Sequence, residues 1–376
     1  MTRVLLWYWG RRGGGPRYTL ELARALRGHG GLDVYMSLSR QSEMFDAFQR
    51  LELPVHVVDT YTSKISAVFS LIRLGFIRRS FRQYLCDRRI EVVVCTMSHL
   101  WNSVMLAVIR RAGARYVLAL HDAVPHSGDN YFIRKWLLAK EIAAADGIVT
   151  LTSHVRDQLC EVYGYPRSRT WVAPLGVFDY AIARQGRTFP IDRPMRIVFF
   201  GRILPYKGLD ILLLAFQMLE REYPGIELAI IGSGDLSPYR NLISQLSNVV
   251  VENQWIPEGS VGCVFERADL VVAPYVEASQ SGVVSAAFSA ALPVVVTPVG
   301  GLVEQVQHLE NGYVAREPSP DAVAEAIRHF LSDPVFYARC SQNALRQVKE
   351  RLNWDVIARQ IADVAKQVAS LPRKRA

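Results

Sequence analysis

Short apolar runs alternate with helical patterns along the whole of this 376-residue chain. Parallel strands need a long crossover connection, usually a helix, so the alternation predicts parallel sheets built of strand–helix–strand units. The class is therefore α/β, with parallel sheets. We place strands at residues 3–9, 32–37, 55–58, 92–96, 116–120, 147–151, 196–200, 227–231, 249–252, 270–273 and 293–297.

A polar stretch marked by proline and glycine separates the two series of strands. The length suffices for two domains of ordinary size. We predict a first domain at 1–178, a linker at 179–194, a second domain at 195–352, and a C-terminal helix with a basic tail at 353–376. The helix is predicted because the apolar residues between 356 and 368 recur at helical spacing.

The positive charge is concentrated in the first half of the chain. Residues 1–175 hold 24 Lys and Arg against 14 Asp and Glu, whereas residues 176–376 hold 20 against 21. A basic half predicts an anionic partner, either nucleic acid or anionic lipid. We expect no nucleic acid, because no nucleic-acid-binding motif is present. Residues 63–89 interleave apolar residues with seven cations, which indicates a lipid-binding surface or a solvated helix face.

Cysteine usage and hydropathy indicate the compartment. The five cysteines lack metal-site spacing, which predicts reduced thiols. No signal peptide is evident, and no apolar run approaches the roughly 20 residues that span a bilayer. We expect a cytoplasmic protein, peripheral on the inner face of the membrane if the basic surface binds lipid.

Two cations follow the first strand of the second series. The sequence FFGRILPYKG carries Gly201, Arg202 and Lys207 between the end of a strand and the start of a helix near Gly208. Helix N-termini present free N–H groups and a positive dipole end, and cations add charge-assisted contacts. This arrangement predicts a phosphate site.

A second helix start follows in the same half of the chain. The residues Gln280, Ser281, Gly282 and Val283 open this helix, and Gly282 allows a ligand to approach the backbone. Two anion sites in one half-chain indicate a diphosphate ligand, such as a nucleotide sugar.

These two segments resemble the donor half of the retaining glycosyltransferases of family 4. The match lies in the G-R-x-x-x-x-K-G run that begins at Gly201 and the P-V-V-V-T-P-V-G-G run that ends at Gly301. The resemblance implies a GT-B fold, in which two Rossmann-like domains face each other across a cleft and the last helix crosses back to the first domain.

The resemblance implies further donor contacts. Gly14 and Gly15 lie in a glycine loop after the first strand, which in the family faces the donor; the alternative is a mobile turn. Gly232 ends a strand and lets the nucleotide approach, or is a plain turn. The backbone of Ile256 contacts the base in relatives, and core packing of Trp255 is the alternative.

His121 and Asp122 end a strand of the first half. Ligands bind at the carboxyl ends of strands in open α/β sheets, so His121 is a candidate catalytic residue that Asp122 orients. The alternative is a helix-capping or core pair. His99 and His126 are lesser candidates, which we assign to the surface or to loops.

The acidic pair of the family is altered here. Many relatives carry two glutamates separated by seven residues; from Glu277 the second falls on Ser285, and from Ala278 on Ala286, the register that the spacing favours. The loop resembles a family variant with the sequence Q-S-G. Glu277 is a candidate catalytic residue or a solvated loop acid, and the Ser285 hydroxyl is a candidate for the ribose contact.

The predicted function is therefore a metal-independent retaining glycosyltransferase. It would move a sugar from a nucleoside-diphosphate sugar to a hydroxyl of a lipid-linked or polysaccharide acceptor, in bacterial surface glycan biosynthesis. We expect no cofactor and no metal, because no D-x-D motif is visible and two cations can take the metal's electrostatic role. A catalytically silent nucleotide-sugar-binding partner and a GT-B nucleotide-sugar epimerase are the alternatives.

Overall fold

A computed structural model of the protein describes residues 1–61, 73–124, 131–178, 180 and 183–372, with the backbone alone at 131–134. The chain divides into two units, one formed by Met1–Gly176 with Trp354–Ala376 and the other by Val177–Asn353. Each unit contains one parallel sheet. The predicted α/β class with two Rossmann-like domains is confirmed. His126 lies outside the described residues, as does the part of the basic stretch at residues 63–72.

The first unit is built on a seven-stranded sheet in the order β3-β2-β1-β4-β5-β6-β7. Its strands are β1 (Thr2–Tyr8), β2 (Leu32–Ser39), β3 (Val55–Val58), β4 (Val92–Cys95), β5 (Arg115–Leu120), β6 (Gly147–Thr150) and β7 (Thr170–Val172). Its helices are α1 (Gly14–Leu26), α2 (Phe45–Gln49), α3 (Leu74–Asp87), α4 (Asn102–Arg111), α5 (Tyr131–Ala144) and α6 (Ser153–Tyr163), followed by a 3₁₀ turn (Arg167–Arg169).

The register explains why the first strand is so apolar. β1 is an interior strand of the sheet, where Val4 pairs with Val34 on one side and with Val92 on the other. Residues from Val4 to Trp9 are buried. A parallel strand covered on both faces must be apolar on both, so it reads as a continuous hydrophobic run rather than an alternating one.

The second unit is built on a six-stranded sheet in the order β10-β9-β8-β11-β12-β13. Its strands are β8 (Arg196–Phe200), β9 (Glu227–Gly232), β10 (Val249–Asn253), β11 (Leu270–Ala273), β12 (Val294–Val296) and β13 (Gly312–Val314). Its helices are α7 (Leu209–Glu222), α8 (Arg240–Ile243), α9 (Glu258–Glu266), α10 (Gly282–Ser289), α11 (Leu302–Gln305), α12 (Pro320–Ser332) and α13 (Pro334–Gln347). Short 3₁₀ turns lie at Pro205–Lys207 and Ser237–Tyr239, and a π-helical turn at Val348–Leu352.

The stretch expected as a linker belongs to the second unit. Arg187 donates to the carbonyls of Ala290, Ala268 and Phe265 at 2.7–2.9 Å. It also donates to the Glu266 carbonyl at 3.2 Å. Arg193 pairs with Asp269. A guanidinium that donates to four helix-end or loop carbonyls fixes this stretch against the second unit.

The last helix, α14 (Trp354–Ser370), packs on the first unit, against α1 and strands β1, β4, β5 and β6. Its apolar face buries Ile357, Ile361, Val364 and Val368. The ring of Trp354 meets the ring of Tyr18 edge-on at 5.3 Å. The predicted return of this helix to the first domain is confirmed. Within the described part of the chain, no helix is long and apolar enough to cross a membrane.

Candidate functional site

The carboxyl edge of the second sheet gathers the predicted donor-binding residues. The loops after β8, β9, β10 and β11 begin at Gly201, Ser233, Gln254 and Pro274 respectively. Because all of these strands are parallel, their carboxyl ends meet at one edge of the sheet. That edge is where an open α/β sheet binds its ligands.

Lys207 places a buried ammonium group at this edge. The residue is 8 % exposed, and Nζ donates to the hydroxyl of Tyr275 at 2.8 Å. Nζ also lies 3.4 Å from the position that a Cβ on Gly201 would occupy. No described carboxylate pairs with this ammonium. A buried charge without a counter-ion is costly, so this position favours an anionic ligand.

Ser281 caps the N-terminus of α10 next to the same tyrosine. Its Oγ accepts from the amide of Val284 at 3.4 Å and lies 3.4 Å from the Tyr275 hydroxyl. The amide of Ser281 donates to Gln305 Oε1 at 2.7 Å, and Gln305 Nε2 donates back to the Ser281 carbonyl at 3.1 Å. The cap is therefore held from two sides.

The first amides of α10 remain available. No described residue accepts from the N–H groups of Gly282 and Val283, as expected for the first turn of a helix. A methyl group of Val283 lies 3.7 Å from the Cβ position of Gly201. The helix N-terminus and the Lys207 ammonium thus approach one point beside Gly201.

Arg202 is exposed and has no hydrogen bond or ion pair with the described residues. It lies next to Gly201 because it is the following residue in the chain. Burial and Tyr275 fix the position of Lys207, whereas the exposed Arg202 guanidinium can move to a ligand.

Two glycines of this edge are required by close backbone contacts. A Cβ on Gly232, whose φ is +147°, would stand 1.8 Å from the Gly201 carbonyl oxygen. A Cβ on Gly208, at φ +65°, would stand 2.0 Å from the Pro274 carbonyl oxygen. Glycine permits both the positive φ and the approach. The group that approaches Gly232 closely in this structure is the loop after β8, at Gly201.

Two buried polar atoms near the start of α10 lack partners. Oε1 of Gln280 and Oγ of Ser285 are buried and have no hydrogen-bond partner among the described residues. Buried polar atoms are normally paired, so each is a position for a ligand group or a water molecule. Glu277 is exposed in the preceding loop, whereas Ala278 is buried and its carbonyl accepts from Gly301.

The loop after β10 carries Trp255 and Ile256, and core packing of Trp255 was the alternative to a contact with the base. Trp255 is 56 % exposed, so core packing of this residue is wrong. Ile256 is the residue that packs, since its side chain lies partly buried against a hydrophobic core of the second unit. An exposed indole at the carboxyl edge of a sheet is a surface on which a flat ring can stack.

In the first unit, the glycine loop begins α1. Gly13, at φ +88°, precedes the helix and donates to Glu43 Oε1 at 2.9 Å. Gly14 is exposed, and a Cβ there would meet nothing within 4 Å. Gly15 is buried, and a Cβ there would stand 2.7 Å from the Tyr8 ring. Of Gly14 and Gly15, only Gly15 is therefore required by packing.

His121 lies at the end of β5 with a defined proton. Its Nε2 is 2.9 Å from the Thr96 carbonyl, which can only accept, so Nε2 carries the hydrogen. Burial lowers the pKa of the imidazole, while the Thr96 carbonyl and the charge of Asp122 act in the opposite direction. The neutral ring then presents Nδ1 as an acceptor. The Thr96 carbonyl therefore orients the ring, on which the charge of Asp122 also acts.

Sequence reasoning missed several residues of these sites. Tyr275 and Gln305 hold Lys207 and Ser281, and Thr96 holds His121. Tyr275 had a signal, since a tyrosine two residues after a buried strand must lie at the carboxyl edge. Gln305 and Thr96 had none, because their partners lie more than twenty residues away in the chain.

Family models match both halves of the chain. The model described as Glycosyltransferase Family 4 matches residues 12–178. The model described as Glycosyl transferases group 1 matches residues 185–347. Each half of the chain thus matches a glycosyltransferase family model, and the two parallel-sheet units have the architecture of the GT-B fold.

Individual relatives agree. An uncharacterized glycosyltransferase of Methanocaldococcus jannaschii is 30 % identical over 58 % of this chain and 59 % of that protein. The D-inositol 3-phosphate glycosyltransferase of Streptomyces avermitilis is 30 % identical over 62 % of this chain and 54 % of that protein. The chain thus spans little more than half the length of these relatives. Anabaena HepE, solved in complex with UDP, has a similar fold, with a TM-score of 0.74 and 18 % identity over 98 % of this chain and 100 % of that chain.

Proposed function

We propose that the protein transfers a sugar from a nucleoside-diphosphate sugar to an acceptor hydroxyl, with retention at the anomeric carbon. The observation that carries the proposal is the buried ammonium of Lys207, which has no described carboxylate partner and lies beside the N-terminus of α10. A diphosphate supplies the charge that this position lacks. Retention is proposed from the resemblance of the donor-half motifs to the family.

The reaction breaks the bond between the anomeric carbon and the diphosphate oxygen, and forms a bond from that carbon to the acceptor oxygen. Negative charge builds up on the departing diphosphate. We propose that Lys207, Arg202 and the first amides of α10 stabilise this charge, by interactions that are stronger in the transition state than in the ground state. With retention, the acceptor arrives on the face that the diphosphate leaves, so a diphosphate oxygen can take its proton.

His121 has a narrower role than a general donor. Since Nε2–H is committed to Thr96, the neutral imidazole offers only Nδ1, which accepts hydrogen bonds. We propose that Nδ1 accepts from a hydroxyl of the transferred sugar and so orients the ring. Glu277 is proposed to contact the same sugar, and Gln280 and Ser285 to meet hydroxyl groups of the donor.

The donor base is the first unknown to test. HepE binds UDP in its solved complex, which makes uridine nucleotides the first candidates for this chain. Trp255 and Ile256 lie at the edge where the base would sit, and Trp255 offers an exposed ring. Nucleotides and nucleotide sugars can be ranked by the rise in melting temperature that each causes, since a ligand of the native state stabilises it by mass action.

The proposal includes no catalytic metal. Among the described residues, no group of three or more His, Cys, Asp or Glu side chains is arranged to hold a metal ion. We expect full activity in excess EDTA. Loss of activity that manganese or magnesium restores would contradict this part of the proposal.

We propose that the acceptor is lipid-linked or a growing glycan, presented at an anionic membrane. Helices α3, α4 and α5 lie side by side on the first unit. Large apolar side chains project from each: Phe76 is 75 % exposed, Trp136 is 58 % exposed, and Val104 is also exposed. Lys140 lies over the Trp136 ring at 3.4 Å. Helices α3 and α4 also carry exposed cations, and these include Arg79, Arg82, Arg110 and Arg111.

This face, which we call the basic face, combines apolar anchors with positive charge, the combination that binds anionic lipid. The full chain should sediment with vesicles that contain phosphatidylglycerol, and salt should release it, because exposed charges are screened within about 8 Å at physiological ionic strength. Phe76→Ser with Trp136→Ser should weaken binding. Equal binding to neutral and anionic vesicles, or binding to neither, would favour a solvated helix face.

Two other functions share this fold. A silent nucleotide-sugar-binding partner is favoured by the missing second glutamate, since neither Ser285 nor Ala286 is acidic. An epimerase would change the sugar without an acceptor. The experiment that separates the three adds acceptor to protein and donor: a transferase releases nucleoside diphosphate and extends the acceptor, an epimerase yields an isomeric donor, and a silent binder leaves both unchanged.

A further inference from the structure

A group of ring and cation side chains lies at the carboxyl edge of the first sheet, apart from His121. The guanidinium of Arg11 lies over the Tyr61 ring, 5.0 Å from its centre. The Tyr61 ring stacks on the imidazole of His99 at 5.8 Å and 24°. Trp101 meets Tyr61 and His99 edge-on at 5.7 and 5.9 Å. We call Arg11, Tyr61, His99 and Trp101 the cation shelf.

The shelf is assembled by the topology. Its members follow the carboxyl ends of β1, β3 and β4, three parallel strands whose carboxyl ends meet at one edge of the sheet. The backbone of Arg11 is fixed, because its carbonyl accepts from the amide of Glu43 at 2.9 Å. The carboxylate of Glu43 meets the amide of Gly13 at 2.9 Å. The assignment of His99 to a plain surface or loop position is therefore incomplete.

The hydrogen-bonding state of His99 can be assigned. Its Nδ1 accepts from the amide of Trp101 at 3.3 Å. Burial and, secondarily, the charge of Arg11 lower the pKa of His99 to about 4. The ring is therefore neutral near pH 7 with its hydrogen on Nε2. That Nε2 is buried and has no hydrogen-bond partner among the described residues.

A buried N–H donor without an acceptor is rare and marks a position for a ligand or a water molecule. Here the unpaired donor lies in a group that also holds a guanidinium, whose charge reaches the imidazole. Arginine recognises carboxylate and phosphate through two parallel N–H bonds, and stacking on a ring fixes its plane in advance. The two features call for the same ligand chemistry, an oxygen anion.

We infer that the cation shelf is an oxyanion-binding site, at which Arg11 and Nε2–H of His99 hold a phosphate or carboxylate group. The biological role of the site rests on the proposed function: in a glycosyltransferase, the bound phosphate or carboxylate belongs to the acceptor. The shared chemistry has two sources, the phosphate of a lipid-linked acceptor or the carboxylate of an acidic sugar.

The test is equilibrium binding of small probes to the full chain by calorimetry. We expect glucuronate or glucose 1-phosphate to bind at least tenfold more tightly than glucose. Arg11→Gln should weaken binding of the anionic probe by at least tenfold, and Arg11→Lys by less, since charge remains without the planar fork. Arg12→Gln is the matched control: it removes the same charge from the next residue of the loop, which is exposed, and should change affinity less than twofold.

His99→Phe removes the N–H while it keeps a ring, and should weaken the anionic probes about fivefold. If this variant fails to fold, the Arg11 and Arg12 pair still decides. Tight binding of glucose 1-phosphate with weak binding of glucuronate would identify a phosphate as the natural ligand. The reverse order of affinities would identify an acidic sugar. Equal affinity for glucose and glucuronate, or an equal loss in Arg11→Gln and Arg12→Gln, would overturn the assignment.

The same titration in Lys207→Met separates this inference from the proposed function. The phosphates of a probe can also bind at the second unit, and that variant removes the second-unit contribution. Binding that persists in Lys207→Met and disappears in Arg11→Gln supports the shelf. If the protein binds the probes at the shelf but binds no nucleotide sugar, the proposed function fails and the oxyanion site stands.

Discussion

In the second unit, the groups at the carboxyl edge come from two short motifs, whereas in the first unit a buried network from distant segments holds them. Lys207 lies six residues after Gly201, and Ser281 lies six residues after Tyr275. In the first unit, Glu141 accepts from Ser98 at 2.9 Å and from Asn102 and Tyr116 at 3.3 Å.

That network reaches the candidate catalytic residues. Ser98 lies two residues after Thr96, whose carbonyl accepts from His121. The hydroxyl of Thr96 is 2.6 Å from the hydroxyl of Thr19, which donates to the Gly15 carbonyl at 2.8 Å. The glycine loop and His121 are thus tied to one strand end. A local motif can be recognised in a sequence, while a network of this kind depends on the finished fold.

The largest expected effect is on the second unit. Lys207→Met keeps the length of the side chain and removes the charge that the diphosphate needs. We expect kcat/KM for the nucleotide sugar to fall by about 10²–10³-fold, roughly 3–4 kcal/mol, the typical loss of one transition-state contact. Lys349→Met, at an exposed lysine of the same unit, is the control. Wild-type kinetics in Lys207→Met would remove the phosphate assignment.

A smaller loss is expected in the first unit. His121→Phe keeps a ring but removes Nδ1, and should lower kcat by about 10²-fold, since a positioned hydrogen-bonding group contributes about 10²–10⁴. Nucleotide affinity should change little, in contrast to Lys207→Met.

Glu277→Ala and Ser285→Ala complete this comparison. Glu277 brings a charge to the donor loop, so Glu277→Ala should lose more activity than Ser285→Ala. If Glu277→Ala keeps full activity while His121→Phe is inactive, Glu277 is a loop acid. If both remain active, the site lies elsewhere.

How much could be predicted from the sequence follows from the same contrast. Strands rich in Val and Ile were placed within about two residues, because burial on both faces gives a continuous apolar run. β7 and β13 were missed, since each has three residues and lies at a sheet edge. The motif around Gly201 predicted where Lys207 lies, but not that Tyr275 buries it.

The rest depended on long-range packing. Trp255 was assigned to the core as an alternative because it is large and apolar, yet it is exposed while Ile256 packs. The stretch before Arg196 has the polar, proline-containing composition of a linker, yet Arg187 fixes it to the second unit through backbone carbonyls. Composition indicates neither the partner of a side chain nor the carbonyls left free at helix ends.

Stability should respond to the close backbone contact that defines the second-unit edge. In Gly232→Ala the new Cβ meets the Gly201 carbonyl at a positive φ. We expect the free energy of unfolding to fall by about 1–3 kcal/mol. Gly259→Ala is the matched control: it lies in α9, where a Cβ meets nothing within 4 Å, and should be neutral or slightly stabilising. Equal melting temperatures of the two variants would contradict the contact.

The smallest expected effect is a pH dependence of stability that arises in the buried network of the first unit. Glu141 is buried, and burial raises the pKa of its carboxyl group from 4.5 to about 7, although Ser98, Asn102 and Tyr116 donate to it. The folded state therefore holds a proton that the unfolded chain has already lost. Unfolding releases this proton, so the contribution of Glu141 lowers stability as pH rises between about 4.5 and 7, by about 1 kcal/mol per pH unit, and is constant above that range.

Glu141→Gln keeps the hydrogen-bonding shape without the titration. The free energy of unfolding of wild type and variant is measured with denaturant at pH 5, 6, 7 and 8. We expect the wild type to lose stability relative to the variant up to about pH 7, and the difference between the two to be constant above that pH. Subtraction of the two curves cancels the contribution of every other titrating group. If the difference is flat across this range, Glu141 is ionised in the folded state and its three donors outweigh its burial. If Glu141→Gln instead lowers kcat without a change in stability, the network acts on His121 through the end of the strand that carries Thr96. The candidate site of the first unit then depends on buried side chains from distant segments, whereas that of the second unit depends on two short motifs.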